Sequence, residues 1–270
     1  MKYMSKSSRN SKIVVFDLDE TLGNFVELGM FWDALENYHG RRLSDNHFFE
    51  IVDMFPEYLR PDIIETIRFL IEKKRKGKCD SLMIYTNNQG PKSWARMISK
   101  YFDYKLEAKA FDRIIAAFKV NGKKVELCRT SNEKSVDDLF KCTKVRKNTE
   151  ICFLDDQYHP LMSNEKVFYI NLKPYFHSVP FKTMAETYYN TSGRVDEDKD
   201  EFINTIEKYM NRFNYKLVEK DEADYAIDRI ISKQIMIHLK EFFELGEIKQ
   251  VTRKRRLIKK HRKTSKINNK

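Results

Sequence analysis

The chain has 270 residues, of which 41% are hydrophobic, and a formal net charge of +11. This length and apolar content favour one packed core with appendages, and no apolar run approaches the ~18 residues of a membrane helix, so we expect no membrane contact. Ten Lys and Arg residues lie in residues 253–270, which contain no Asp or Glu, so the rest of the chain is close to neutral.

Residues 1–11 are rich in Ser and Lys and are predicted to be disordered. The first strand is predicted at residues 13–17, and it ends in two carboxylates, Asp17 and Asp19. Open parallel sheets bind ligands beyond the carboxyl ends of their strands. The two carboxylates are therefore candidates for a nucleophile and an acid/base group. An acidic turn capped by Glu20 and Thr21 is the structural alternative.

Residues 25–59 carry aromatic and aliphatic residues at helical spacing. They are predicted to form a helical insertion, which either caps the site after the first strand or simply covers the core. The next helix is predicted to begin at Arg60-Pro61 and to end at Gly77, because Pro suits the first turn and Gly ends helices.

Two further apolar strands end in polar side chains. Residues 81–85 lead into Thr86 and Asn87, and a run beginning at residue 150 ends in Asp155 and Asp156. Strands are also predicted at 111–115 and 167–170, with helices at 92–101 and 134–142. Strands that alternate with helices predict an α/β fold with a doubly wound, mostly parallel sheet.

The C-terminal part of the chain has a different pattern. Residues 181–252 are predicted to form an α-helical extension, with one helix near 202–210 and another over 221–245. Residues 253–270 are predicted to be a basic, disordered tail. This tail is a nuclear-localisation signal, a contact to nucleic acid, or a simply solvated segment.

The cysteine pattern indicates the compartment. Cys79, Cys128, Cys142 and Cys152 contain no C-x-x-C pair, which argues against a zinc ribbon and against a redox motif. The N-terminus also lacks the apolar segment of a signal peptide. We therefore expect reduced, buried thiols in an intracellular protein.

Four short motifs together resemble the haloacid dehalogenase-like (HAD-like) phosphatase superfamily. The matching residues, in the order of its four motifs, are Asp17-Leu18-Asp19-Glu20-Thr21, Thr86, Lys134 and Asp155-Asp156. The first motif is most similar to phosphatases acting on the C-terminal domain of RNA polymerase II, including the NLI-interacting-factor-like branch. Arg60-Pro61 resembles the Arg-Pro of that branch, and Arg129, Lys134 and Asp138-Leu139 resemble a further segment of it. The resemblance covers residues 12–180, which we take as the HAD-like phosphatase domain.

The resemblance implies a magnesium-dependent phosphomonoester hydrolase. Asp17 would form an aspartyl-phosphate, Asp19 would be the acid/base group, and Thr86 and Lys134 would hold the phosphoryl oxygens. Magnesium would lie among Asp17, the backbone carbonyl of Asp19 and Asp156, with Asp155 beside them; the implied metal set is Asp17, Asp19, Asp155 and Asp156. The implied substrate-binding set is Thr21, Asn87, Arg60 and Arg129. For the two arginines, surface salt bridges are the alternative.

The implied substrate is a phosphoserine or phosphothreonine protein, for example the RNA polymerase II C-terminal domain. Residues 86–90 are closer to polynucleotide 3′-phosphatases, although Glu20 stands where those enzymes carry Gly. A nucleic-acid 3′-phosphatase is therefore one alternative. Another is a catalytically weak scaffold that binds nuclear partners. His159 either lines the site or is a loop histidine without a role.

Overall fold

A computed structural model describes the backbone of residues 11–264 and the side chains of residues 11–244. The predicted disorder of residues 1–10 therefore lies outside the described residues. The strands, in chain order, are β1 (Lys12–Phe16), β2 (Ser81–Tyr85), β3 (Arg113–Ile115), β4 (Lys119–Val120), β5 (Lys123–Lys124), β6 (Glu150–Asp155) and β7 (Val167–Asn171). The α-helices are α1 (Val26–Tyr38), α2 (Asp45–Met54), α3 (Ile63–Arg75), α4 (Lys92–Leu106), α5 (Val136–Thr143), α6 (Phe181–Ser192), α7 (Lys199–Met210) and α8 (Glu222–Thr264).

Five strands form one parallel sheet in the order β3-β2-β1-β6-β7. The predicted α/β class with a parallel sheet is confirmed. The order reverses between β1 and β6, so the loops after these strands diverge and leave a crevice at their carboxyl ends. The hairpin of β4 and β5 was not predicted; it turns at Asn121 and Gly122, whose φ angles are 49° and 76°, as a tight hairpin turn requires.

Both faces of the sheet are covered, as residue alternation in buried strands demands. In β1, Val14 and Phe16 join a large core formed with α1–α4 and α6–α8, whereas Ile13 and Val15 face a smaller core formed with α5. The two layers differ in size because only one short helix connects β3 with β6. Buried side chains therefore pack against both faces of the sheet.

The predicted helical segment 25–59 contains α1 and α2. Their large side chains pack in the large core, with the Trp32 and Phe48 rings 5.5 Å apart and Phe31 fully buried. Val26, at the start of α1, is 42% exposed and lines the candidate site. This packing favours the core-covering alternative, with only the first turn of α1 near the site.

The C-terminal helices pack into the same large core, so this core has no boundary at residue 180. Tyr188 of α6 stacks on His47 of α2 with centroids 5.7 Å apart, and lies 5.9 Å from Phe202 of α7. Phe242 of α8 packs 6.0 Å from Phe168 of β7. Residues 181–244 therefore complete the layer over the sheet and are not an appendage to it.

Helix α8 is longer than predicted. Its backbone continues to Thr264, past residue 245 and into the segment that we predicted as a disordered tail from 253. This part of the prediction is wrong for 253–264, because a Lys- and Arg-rich segment without Pro consists of good helix formers. The predicted disorder of 265–270 lies outside the described residues. No helix in the described part of the chain is both long enough and apolar enough to cross a membrane.

The expectation of four reduced thiols is wrong for two of them. Cys128 and Cys142 form a disulfide across a sequence separation of 14, with their Cα atoms 5.0 Å apart. Cys79 and Cys152 are free and buried. The fold brings the segment after β5 against α5, and this approach satisfies disulfide geometry without a sequence motif.

Candidate functional site

A pocket of about 200 Å³ opens at the carboxyl ends of β1, β2 and β6, at the point where the strand order reverses. Its lining residues are Asp17, Asp19, Glu20, Val26, Thr86, Asn87, Asn88, Lys134, Asp155 and Gln157. The three strand ends that carry polar residues in the sequence therefore meet at one place. The predicted catalytic residues Asp17, Asp19, Thr86 and Lys134 all line it.

Lys134 is the central charge of this pocket. It lies two residues before α5, is 2% exposed, and forms a short ion pair with Asp17 and a second one of 2.6 Å with Asp155. Burial by itself would lower the pKa of Lys134, but the two carboxylates raise it overall, so the ammonium stays charged. Lys134 is therefore a buried ion-pair partner and not a solvated lysine on a helix surface.

Carboxylates outnumber cations around Lys134. Oxygen atoms of Asp17, Asp155 and Asp156 lie within 4.8 Å of one another. Burial raises the pKa of Asp17 to about 7, with Asp155 and Asp19 adding to the rise and Lys134 opposing it. A compact set of carboxylate oxygens with excess negative charge fits a hard divalent cation such as magnesium. The Asp19 carboxylate lies outside this set.

Asp155 and Asp156 have different surroundings. Asp155 Oδ2 pairs with Lys134 and lies 3.4 Å from His159 Nε2, while its Oδ1 accepts from the Gln157 N–H at 2.9 Å. Burial would raise the pKa of Asp155, but His159 and Lys134 lower it overall. The oxygens of Asp155 are thus already engaged, and Asp156 is the freer carboxylate for a cation.

Thr21 does not line the pocket, although it was predicted to bind substrate. It is 1% exposed, and its hydroxyl donates to Asp156 Oδ1 at 3.3 Å and accepts from the Asp156 N–H at 3.2 Å. Thr21 therefore orients Asp156. The site loop of β1 is held to the site loop of β6 through this pair.

The loop after β2 supplies Thr86, Asn87 and Asn88 to the pocket. The Thr86 hydroxyl accepts from the Asn88 N–H at 2.9 Å, and Asn88 Nδ2 donates to Asp19 Oδ2 at 2.6 Å. Burial raises the pKa of Asp19, and the Asn88 hydrogen bond partly offsets this rise. Sequence reasoning did not single out Asn88, whose only sequence signal is its position three residues after a buried strand.

The two arginines predicted to bind substrate do not line the pocket. Arg60 is 1% exposed and Arg129 is fully buried. Arg60 donates to the backbone carbonyls of Thr21 at 2.7 Å, Glu20 at 2.5 Å and Lys173 at 3.0 Å. Neither a substrate contact nor a surface salt bridge describes these side chains. They hold the backbone that presents the site.

Two further residues join the site. Glu20 adopts a left-handed φ of 55°, which its surroundings must enforce in a residue with a side chain. Burial, with Asp19 and Asp156 nearby, raises the pKa of Glu20 to about 8. His159 is 6% exposed and lies 3.4 Å from Asp155 and 3.6 Å from Glu133, so it supports Asp155 and is not a free loop histidine.

The pocket thus combines a buried carboxylate paired with a lysine, a second carboxylate oriented by an amide, a hydroxyl group and a cluster of carboxylate oxygens that could hold a metal ion. These groups could position and neutralise a small anion that is attacked by a carboxylate. The chain matches no family model, no curated protein and no solved structure.

Proposed function

We propose that this chain is a magnesium-dependent phosphomonoester hydrolase of the HAD-like kind, working through an aspartyl-phosphate on Asp17. One observation carries this proposal. Lys134 is buried between Asp17 and Asp155 and lines the same pocket as Thr86. Phosphoryl transfer needs a positioned nucleophile and fixed positive charge beside the phosphoryl oxygens, and this arrangement supplies both.

In the first step, a carboxylate oxygen of Asp17 forms a bond to phosphorus while the bond from phosphorus to the leaving oxygen breaks. Asp19 gives its proton to that leaving oxygen. The raised pKa of Asp19 favours the protonated form that this role requires. The Thr86 hydroxyl and the Asn87 backbone N–H donate hydrogen bonds to the phosphoryl oxygens.

In the second step, a water molecule attacks the phosphorus of the aspartyl-phosphate, and Asp19, now ionised, accepts its proton. The bond between phosphorus and the Asp17 oxygen breaks, so inorganic phosphate leaves and the Asp17 carboxylate is restored. Lys134 neutralises charge on the phosphoryl oxygens in both steps.

Asp17, Asp156 and the backbone carbonyl of Asp19 would hold magnesium, with Thr21 orienting Asp156. When bound, the ion offsets the repulsion between the carboxylates and a phosphate dianion and polarises the phosphoryl group. The crowding of Asp17, Asp155 and Asp156 within 4.8 Å supports this fit.

A phosphoserine or phosphothreonine protein is the substrate class we favour, with the RNA polymerase II C-terminal domain as one example. Among the described residues that line the pocket, Lys134 is the sole cation, and Glu20 adds a carboxyl group. Nucleic-acid binding depends on several Lys or Arg contacts to phosphates. This lining supports a peptide substrate over an oligonucleotide. Because residues 253–270 are basic, a nucleic-acid 3′-phosphatase that acts in the nucleus is the second candidate.

The reaction class is tested by hydrolysis of p-nitrophenyl phosphate with magnesium, using the native chain and Asp17→Asn. We expect turnover by the native chain and its loss in the variant. A native chain without turnover over a broad pH range, or a variant equally active, would contradict the proposal. Retained binding of nuclear proteins by an inactive native chain would favour the scaffold alternative.

The substrate class is tested by comparing a phosphoserine peptide with a 3′-phosphorylated oligonucleotide of similar length. We expect faster turnover of the peptide, unchanged by deletion of residues 253–270. Faster turnover of the oligonucleotide, lost on that deletion, would reverse the order of the two candidates.

A further inference from the structure

Arg129 has contacts that suit a structural link between loops. Its Nη1 donates to the carbonyls of Thr86 at 3.1 Å and Ala116 at 3.0 Å. Its Nη2 donates to the carbonyls of Asn132 at 2.9 Å and Glu133 at 3.4 Å. The side chain is fully buried. One guanidinium therefore serves carbonyls from three segments of the chain.

These segments meet at the pocket. Thr86 follows β2, Ala116 follows β3, and Asn132 belongs to the loop that leads to Lys134. Carbonyls beyond the last strand pairing have no ladder partner, and a buried carbonyl without a partner is costly. Arg129 replaces that partner at the ends of β2 and β3. The same planar guanidinium also binds the loop that leads to Lys134, which we call the lysine loop.

Tyr85 adds a second connection between the same parts. Its ring centroid lies 4.8 Å from the Arg129 guanidinium and 5.9 Å from Lys134 Nζ. Its hydroxyl accepts from the Ser135 N–H at 3.3 Å. The Tyr85 side chain therefore contacts Arg129 and also Lys134 and Ser135, the two residues that directly precede α5.

We propose that Arg129 is a positioning residue that sets the Thr86 hydroxyl and the Lys134 ammonium at a fixed separation across the pocket. This inference rests on the proposed function, in which those two groups hold the same phosphoryl group. The planar guanidinium has donors on two sides and can serve opposite loops at once, whereas a lysine ammonium is a point donor that reaches only one of them.

The covalent structure supports the same link. Cys128, which precedes Arg129, is bonded to Cys142 of α5. The segment between the two cysteines contains both Arg129 and Lys134, so its two ends are joined and its middle is held by the guanidinium. Movement of the lysine loop away from Thr86 then requires the arginine contacts to break.

The test uses the full chain with Arg129→Lys and Arg129→Met, and Leu70→Ala as the control for lost stability alone. Leu70 is fully buried in α3 on the other face of the sheet. We expect the arginine variants to lose about 100-fold in kcat, as a displacement of about 1 Å can cause. Inhibition by orthovanadate should weaken by a similar factor, with little change in KM for p-nitrophenyl phosphate. Leu70→Ala should lower the melting temperature and keep kcat and the vanadate affinity.

A readout independent of turnover separates this inference from the proposed function. Crystal structures of the native chain and of the better-folded arginine variant would give the separation of Thr86 Oγ1 and Lys134 Nζ. A change of about 1 Å or more would support the positioning role even if the native chain had no phosphatase activity. An unchanged separation, or kcat and vanadate affinity within about twofold of the native chain, would overturn it.

Discussion

Asn88 donates a 2.6 Å hydrogen bond to Oδ2 of Asp19, a residue 69 positions earlier in the chain. The other oxygen of that carboxyl group, Oδ1, is buried and has no hydrogen-bond partner among the described residues. Because Oδ2 accepts from an amide, the proton of a neutral Asp19 is expected on Oδ1. Asn88 thus orients the group that the proposed mechanism uses as its acid.

Asn88→Ala should therefore slow the hydrolysis of poor leaving groups. General acid–base catalysis contributes ~10²–10⁴-fold, so losing its orientation should lower kcat for a phosphoserine peptide about 10- to 100-fold. Hydrolysis of p-nitrophenyl phosphate should fall much less, because p-nitrophenolate leaves with little protonation. Equal losses for both substrates would contradict the assignment.

The same variant should change the pH profile. The Asn88 hydrogen bond lowers the pKa of Asp19 against the rise caused by burial, so its removal should raise that pKa further. Since the acid must be protonated, the alkaline limb of kcat/KM for the peptide should move to higher pH. A limb that stays in place would mean that Asp19 does not govern it.

Ionisation of Asp17 should destabilise the metal-free protein. Burial raises its pKa from 3.8 to about 7, so between these values the native state holds a proton that the unfolded chain has lost. The contribution of Asp17 to the free energy of unfolding is therefore fully present below the lower value and falls as pH rises to about 7.

We expect Asp17→Asn in EDTA to melt above the native chain at pH 7.5 and to lose this advantage only near the lower pKa, at about pH 4. A shift of about 2–4 °C per kcal/mol is typical for a chain of this size. Asp196→Asn, at an exposed position, is the control. If the native chain melts at the same temperature as Asp17→Asn at both pH values, ionisation of Asp17 does not destabilise the fold.

Magnesium should stabilise the fold through Asp156. Binding to the native state alone stabilises it by about 2.7 kcal/mol at a concentration 100 times Kd. We expect the melting temperature to rise with added magnesium in the native chain and in Asp196→Asn, and to change little in Asp156→Asn. Calorimetric titration gives the same comparison at constant temperature. An undiminished response in Asp156→Asn would remove this residue from the cation site.

Reduction of the disulfide should lower stability. Cys128 and Cys142 close a loop with a sequence separation of 14, and the chain-entropy model assigns about 3 kcal/mol to a loop of this size. Dithiothreitol should lower the melting temperature of the native chain. A Cys128→Ser, Cys142→Ser double variant should melt at the reduced value and be insensitive to the reductant. A double variant that melts like the oxidised native chain would show that the bond adds no stability.

The sequence by itself determined those features that depend on residues close together in the chain. Buried strands ending in Asp17, Thr86 and Asp155 can be recognised from short apolar runs, because alternation and burial leave a pattern within a few residues. Parallel strands then bring those ends to one edge, so the meeting of these three residues followed from the order of the elements. Lys134 follows no strand, and it was predicted only from the resemblance to the phosphatase superfamily.

Only the tertiary structure decided the roles of Arg60 and Arg129, the pairing of Cys128 with Cys142, and the contact of Asn88 with Asp19. Each depends on a partner far away in the chain or on burial beneath other segments. A charged side chain looks the same in the sequence whether it faces solvent or binds buried carbonyls. The physical reason is that hydrogen bonds and burial are set by the packing of distant segments, which short-range patterns do not record.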